Sequence, residues 1–209
     1  MKHLLPLVLL ASLCSGCLLF GSGPKARALY AIELPDPPPA ADKTPADAPV
    51  LVLGRVKAAA AASRRDITWS EAIGGGRIGR LEDGMFALDP EETVAAALRT
   101  YLPGIGVYAA VVPREVAPRG RDRVMLETWI ERFGLERDPQ GGVAAVVDAR
   151  FYLEPSSGGE PAALREIPLT AHIAVSAKKG ALPSAPDAAK GLSKALESLL
   201  AKLRIELAR

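Results

Sequence analysis

The residues of this sequence best suited to chemistry are its two cysteines. Cys14 and Cys17 are the only thiols, and they stand three positions apart near the N-terminus. That spacing can form a redox pair or supply half of a zinc site. A redox pair belongs beside a strand–helix–strand unit, and zinc needs further Cys or His ligands, whereas beyond Cys17 the chain offers only the distant His172. Both interpretations therefore fail.

The residues around the cysteines predict an export signal over residues 1–16. Lys2 and His3 precede an apolar run of ten residues from Leu4 to Leu13, and small residues follow at positions 15 and 16. As a helix this run extends about 15 Å, half of the roughly 30 Å needed to cross the hydrocarbon core of a bilayer. It is too short for a transmembrane helix and is typical of a secretory signal peptide.

Ser15, Gly16 and Cys17 resemble the Leu-(Ala/Ser)-(Gly/Ala)-Cys pattern of bacterial lipoprotein signals. Cys14 stands where that pattern usually has Leu, and a thiol there can behave as a small hydrophobe. We therefore predict cleavage before Cys17 and attachment of acyl chains to its thiol, which anchors the protein to a membrane. The mature chain then has no free thiol and no disulfide, so its stability must come from core packing.

The remaining chain is predicted to form a lipid-anchored tether, 17–28, and one domain, 29–209. At about 3.3 Å per residue, the stretch from Leu18 to Arg27 lifts the domain no more than about 35 Å from the bilayer. Six prolines within residues 35–49 predict an extended loop at the start of the domain. The formal net charge of +2 gives no strong field for a polyanion, so nucleic-acid binding is excluded as a function class.

Alternating and continuous apolar runs predict a sheet. The expected strands are Leu29–Leu34, Val50–Val56, Ile67–Trp69, Arg77–Leu81, Met85–Leu88, Ile105–Val112, Val124–Leu135, Val143–Leu153 and Leu164–Ala177. The first two are expected at the centre of the sheet. Glu82-Asp83-Gly84 predicts a hairpin turn between the fourth and fifth, and residues 138–142 predict another before Val143.

Two amphipathic helices complete the expected fold. Asp89 followed by Pro90 predicts the start of the first helix, with a reciprocal capping contact from Glu92. Ser184 and Asp187 predict the start of the second. Its apolar face comprises Leu192, Leu196, Leu199, Leu203 and Leu207. The predicted fold is α+β, a mostly antiparallel sheet with both helices packed on it in a single domain.

This arrangement resembles the ABC-type transport auxiliary lipoprotein family. The lipoprotein signal, a Tyr-x-x-x-Leu strand at Tyr30, the helix in the first half, the three-strand meander and the C-terminal helix all follow the family order. The local resemblance is closest at Ile130–Leu135, at Gly142 and at Ala149–Leu153, where an aromatic residue ends one strand and an alternating strand follows a glycine turn.

Family membership would imply a non-catalytic accessory subunit without cofactor or metal. Such proteins face the periplasm and work with ABC transporters whose substrate-binding subunits carry mammalian-cell-entry (Mce) domains and move lipids between the inner and outer membranes. Leu18 stands after Cys17 in place of the Asp that retains lipoproteins in the inner membrane, which favours the outer membrane. Homo-oligomerisation stays open. The alternative function is a structural or assembly lipoprotein of another envelope machine, such as a secretion apparatus.

Several residues are candidates for partner contacts. Arg119 and Arg121 lie in a basic loop that can meet anionic headgroups or an acidic partner, although an ordinary solvated loop also fits. Trp69 and Trp129 are candidate anchors, because tryptophan is enriched at interface hot spots, but partly buried core positions fit as well. His172, in an alternating strand without evident partners, fits a structural histidine better than a catalytic one.

The acyl attachment at Cys17 is directly testable. Because the modification requires the Cys17 thiol, Cys17→Ser should yield an unlipidated protein, whereas Cys14→Ala should still be cleaved and acylated. Intact-mass measurement of the protein recovered from membranes distinguishes these outcomes. A wild-type mature chain that begins anywhere other than an acylated Cys17 would contradict the prediction.

Overall fold

The computed structural model describes residues 26–39, 44–45, 47–72, 78–118, 122–156, 163–178 and 180–209. Its strands are β1 (Ala28–Tyr30), β2 (Val50–Ala58), β3 (Asp66–Glu71), β4 (Ile78–Phe86), β5 (Ala110–Pro113), β6 (Arg123–Arg137), β7 (Val143–Ser156) and β8 (Arg165–Val175). Its helices are α1 (Pro90–Tyr101) and α2 (Ala185–Leu207), with short 3₁₀ turns at Leu102–Ile105 and Arg114–Val116. None of the helices within these residues is long and apolar enough to cross a membrane.

The long strand β6 organises the sheet. Along one edge its first half pairs in parallel with β2, and its last residues pair in parallel with β3. β2 and β3 therefore lie one after the other along the same edge of β6. β5 pairs with the far side of β2, β4 pairs with the far side of β3, and β1 pairs with β4. On the other edge, β7 and β8 complete an antiparallel meander. The longest pairings are antiparallel, which confirms the predicted α+β class, while the parallel pairings had no counterpart in the prediction.

Both helices pack into one hydrophobic core on one face of the sheet. The predicted leucine face of α2 is buried throughout, from Leu192 to Leu207. Ser184 begins this helix as expected, because its hydroxyl accepts a hydrogen bond from the Asp187 amide. The predicted start of α1 is also confirmed at Pro90, although the Asp89 side chain makes no capping hydrogen bond.

The predicted hairpin turn at Glu82-Asp83-Gly84 is wrong. β4 continues through these residues, with a shift in its pairing register there, and forms its hairpin with β3 instead. Gly84 is needed for close packing rather than for a turn, since a Cβ there would lie 2.5 Å from the Ala185 Cβ and 2.8 Å from the Tyr30 ring. The Arg27 guanidinium also donates to the carbonyls of Leu81 and Gly84. These contacts come from distant parts of the chain and hold the segment extended.

Two other predicted strands are shorter than expected. β1 ends at Tyr30 and lies at an end of the strand order rather than at its centre, whereas β2 is central as predicted. The chain leaves the sheet there because the Glu33 amide donates to the hydroxyl of Ser193 on α2, 2.9 Å away. Likewise, the strand expected from Ile105 is reduced to β5, because a 3₁₀ turn extends to Ile105 and Gly106 follows with a positive φ of 71°.

The packing of α2 is testable by truncation. Leu199 is completely buried in the core, so Leu199→Ala should lower the free energy of unfolding by about 2–5 kcal/mol. Ile205, on the same helix, is 57% exposed, so Ile205→Ala should change it by less than about 0.5 kcal/mol. Urea denaturation of both variants provides the measurement. Equal, small losses would mean that the leucine face is not a core face.

Candidate interaction surface

The face of the β6–β7–β8 meander opposite the helices is the candidate surface, and we call it the outer face. Its residues alternate with the buried ones: Glu127 and Trp129 of β6 alternate with the buried Leu126, Thr128 and Ile130. A β-bulge between Ile130 and Arg132 then shifts the alternation by one position. As a result Arg132 faces outward and Phe133 faces into the core.

A cross-strand ion-pair cluster lies just beyond the bulge. The Arg132 guanidinium approaches Asp148 of β7 to 2.7 Å and also pairs with Glu136. Asp148 in turn accepts a hydrogen bond from the Thr170 hydroxyl of β8. Burial disfavours the charged form of Arg132, but the hydrogen bonds and charges of Asp148 and Glu136 outweigh it and raise the pKa of the guanidinium. The cluster ties three strands together, and its single guanidinium is shared between two carboxylates.

A second cluster follows on the same face. The Arg150 guanidinium lies 2.7 Å from a carboxylate oxygen of Glu131 on β6 and 3.0 Å from one of Glu166 on β8. The hydrogen bond to Glu131 and the negative charge of Glu131 raise the pKa of Arg150. The hydrogen bond to Glu166 and the charge of Glu166 raise it further. This guanidinium therefore stays charged, and its carboxylate partners are engaged as acceptors rather than left available as acids or bases.

Trp129 is the most exposed aromatic side chain of the outer face, more exposed than the half-buried Tyr152 of β7. It is 39% exposed and stands in register between Lys57 of β2 and Arg150 of β7. Trp69 differs, because it is half-buried against the core and its ring carries the Arg137 guanidinium 5.5 Å from the ring centre. Trp69 pairs with Leu135, six residues along β6 from Trp129, or about 20 Å. The structure does not bring the two tryptophans together.

His172 lies exposed on β8, opposite Val146. Across the described ranges no group of three or more His, Cys, Asp or Glu side chains is placed to hold a metal ion. The carboxylates nearest the centre of the outer face, Asp148 and Glu131, are paired with arginines. The arrangement has the features of a binding surface: a half-exposed aromatic ring with fixed charges around it.

The predicted contact residues have different outcomes. Trp129 lies on an accessible surface, which is consistent with a partner contact, and Trp69 lies partly in the core. Arg119, Arg121 and the lipidation residue Cys17 fall outside the described residues. The arginine clusters were not predicted from the sequence. The alternation of residues along β6 and β7 indicates that these charged side chains face away from the core. It does not indicate which of them pair, because the partners of each arginine depend on strand register.

The fold and this surface have the features of a binding component, and comparison with known proteins identifies the family. The family model of the ABC-type transport auxiliary lipoprotein component matches residues 30–203. The chain therefore belongs to the ABC-type transport auxiliary lipoprotein family, as the sequence resemblance predicted. Membership identifies it as an auxiliary component of ABC-type transport in the cell envelope. No curated protein matches the chain.

Solved structures share the fold. Protein XCC0632 from Xanthomonas campestris, described with family model DUF330, aligns with a TM-score of 0.63 at 18% identity, covering 85% of this chain and 92% of its own. A second structure, described as an uncharacterized protein, aligns with a TM-score of 0.61 at 13% identity, covering 88% of this chain and 99% of its own. At these identities the likeness establishes the fold alone.

The Arg132–Asp148 pair allows a matched test of the outer face. Asp148→Asn keeps the size of the side chain but removes the charge that faces Arg132, so the free energy of unfolding should fall by about 0.5–1 kcal/mol. Glu154→Gln removes a carboxylate from an exposed position of the same strand and should change it by less than half that amount. Urea denaturation at neutral pH compares them. Equal effects would show that the pair contributes nothing to stability.

Proposed function

We propose that the protein is a lipid-anchored, periplasm-facing, non-catalytic accessory subunit of an ABC-type lipid transport system with an Mce-domain subunit as its partner. The observation that carries the proposal is the match of the transport auxiliary lipoprotein family model across residues 30–203. The anchor is the acyl-modified Cys17, and Leu18 after it favours the outer membrane. The partner and the anchor go beyond the family match and rest on the arguments that follow.

The N-terminal end of the domain supports an anchored arrangement. Arg27 is held by Asp66 at 2.5 Å and by two backbone carbonyls of β4, so the chain joins the sheet at a defined point. Arg27 stands only ten positions after Cys17, a span of about 35 Å when fully extended. An acylated Cys17 therefore keeps the domain close to its membrane, where a transporter subunit that reaches this membrane can contact it.

The outer face supports a partner-binding role. Tryptophan and arginine are enriched at interface hot spots, and a hot spot works best when surrounding contacts exclude water from it. Trp129 stands beside Arg150, whose guanidinium is held in place by Glu131 and Glu166. A partner that covers this site meets side chains already fixed by ion pairs, which lowers the entropy lost on binding.

A structural or assembly role in another envelope machine, such as a secretion apparatus, uses the same anchor and the same type of surface. The two functions differ in the partner. Transporter permease, ATPase and Mce-domain genes beside the gene for this protein would favour lipid transport. A hydrolase function would require His172 or the paired carboxylates of the outer face to act on a substrate.

The partner is identified by co-isolation. The wild-type protein, purified by affinity from detergent-solubilised envelopes, should carry an Mce-domain subunit with it. Trp129→Ala should reduce the recovered partner about tenfold or more, the size of effect typical of a hot spot. Leu88→Ala truncates a side chain that is 52% exposed away from the outer face, and it should leave the recovery unchanged.

Co-isolation and a deletion strain together discriminate the alternative functions. Recovery of secretion components without an Mce-domain subunit would overturn the transport proposal in favour of the assembly role. Deletion of the protein should impair envelope integrity, and a folded His172→Gln variant should restore it as fully as the wild type. Failure of that variant would instead support an enzyme.

A further inference from the structure

A cationic groove lies where the loop between β2 and β3 meets β4. We call it the arginine groove, and its lining includes Ala60, Ala61, Arg64, Asp66, Ile78 and Arg80. It is open to solvent and has a volume of about 430 Å³, within the range of small-molecule sites. Its lining does not include Trp129 or the arginines of the outer-face clusters, Arg132 and Arg150.

The charges in this groove do not cancel. Its carboxylate, Asp66, is already engaged by Arg27 at 2.5 Å. Arg80 reaches Asp66 only at 3.9 Å, and its side chain is 67% exposed. Arg64 is exposed, and among the described residues no carboxylate lies within ion-pair distance of it. Two arginines are thus available to an anionic group, and a guanidinium can donate two parallel hydrogen bonds to a phosphate.

The groove also has an apolar rim. Ile78 is 60% exposed, and together with Ala61 it lines an adjoining cavity of about 100 Å³. The lining of this cavity is mainly apolar, and its charged members, Arg132, Glu136 and Glu131, are engaged in the ion pairs of the outer face. This cavity is too small for an acyl chain but adds apolar surface directly beside the two arginines. Cations next to an exposed aliphatic side chain match the boundary between phosphate headgroups and acyl chains.

The position of the groove relative to the anchor identifies the ligand. Asp66, which lines the groove, is the residue that holds Arg27, and Arg27 stands only ten positions after Cys17. We infer that the arginine groove binds the phosphate of an anionic phospholipid headgroup in the membrane that carries the anchor. This inference rests on the acylation of Cys17 within the proposed function. The contact orients the domain on the bilayer.

Arginine footprinting tests the contact on the full lipoprotein. The protein is reconstituted in nanodiscs of phosphatidylcholine alone or of equal parts phosphatidylcholine and phosphatidylglycerol, and phenylglyoxal modification of each arginine is followed by mass spectrometry. Arg64 and Arg80 should react about tenfold more slowly in the anionic discs. Arg55 and Arg99 are exposed elsewhere in the fold and serve as internal controls that should react at the same rate in both.

The outcomes separate the groove from the anchor. Equal rates for Arg64 and Arg80 in both lipids would overturn the groove, as would slowing of Arg55 and Arg99 to the same extent, because nonspecific attraction to the surface would explain it. Protection by free glycerol 3-phosphate in neutral discs without protection by phosphatidylglycerol would also overturn it, in favour of a soluble phosphate ligand. A chain that does not enter the discs would contradict the anchoring.

A second arm keeps the groove testable without the anchor. The unlipidated Cys17→Ser full chain is mixed with vesicles of the same two compositions. Arg64 and Arg80 should again be protected selectively by the anionic vesicles, and Arg64→Gln should remove the protection of Arg80. Protection that persists at Arg80 in that variant would show that the two arginines do not share one ligand.

Discussion

Burial of the leucine face of α2 against the sheet is the contact on which the rest of the structure depends. The described residues contain no cysteine, so no disulfide supplements the core within them. Leu192, Leu196, Leu199 and Leu203 are fully buried. Gly191 allows the helix to lie this close, because a Cβ there would be 2.5 Å from Val175 of β8. A residue that lowers helix propensity is thus compensated by tight packing.

This contact determines how the two faces of the sheet are used. Since both helices pack on one face, the other face of the meander remains available to solvent, where side chains must be polar or paired. Arg132 and Arg150 each bridge neighbouring strands there, and their carboxylate partners are occupied. The outer face therefore contributes order and charge complementarity, while Trp129 contributes apolar area. These are the components of a binding surface, in agreement with membership of a transport auxiliary family.

The N-terminal region connects this core to the envelope. Glu33 is hydrogen-bonded to Ser193 of α2, and Arg27 is bonded to Asp66 and β4. The first strand is consequently held on both sides, by contacts of the residues just before it and just after it. An anchor attached at Cys17 would act on the domain through Arg27, which binds the same Asp66 that lines the arginine groove.

Features encoded locally were accessible from the sequence. Both helices, the α+β class and the β6–β7 hairpin follow from hydrophobic periodicity and turn chemistry, which act over a few residues. The shape of that hairpin turn is also local, since Gly141 has a positive φ of 87° and the Gly142 amide donates to Asp138.

What depends on distant partners was decided only by the tertiary structure. Gly84 has the composition of a turn but lies in a strand, because Tyr30 and Ala185 pack against it. The parallel pairing of β2 and β3 along β6, and the ion pairs of Arg132 and Arg150, depend on strand register and on one bulge. A one-residue shift turns every side chain of a strand to the other face, and no local pattern encodes the position of a bulge. Sequence therefore determines which segments form strands and helices, whereas long-range packing decides which side chains meet.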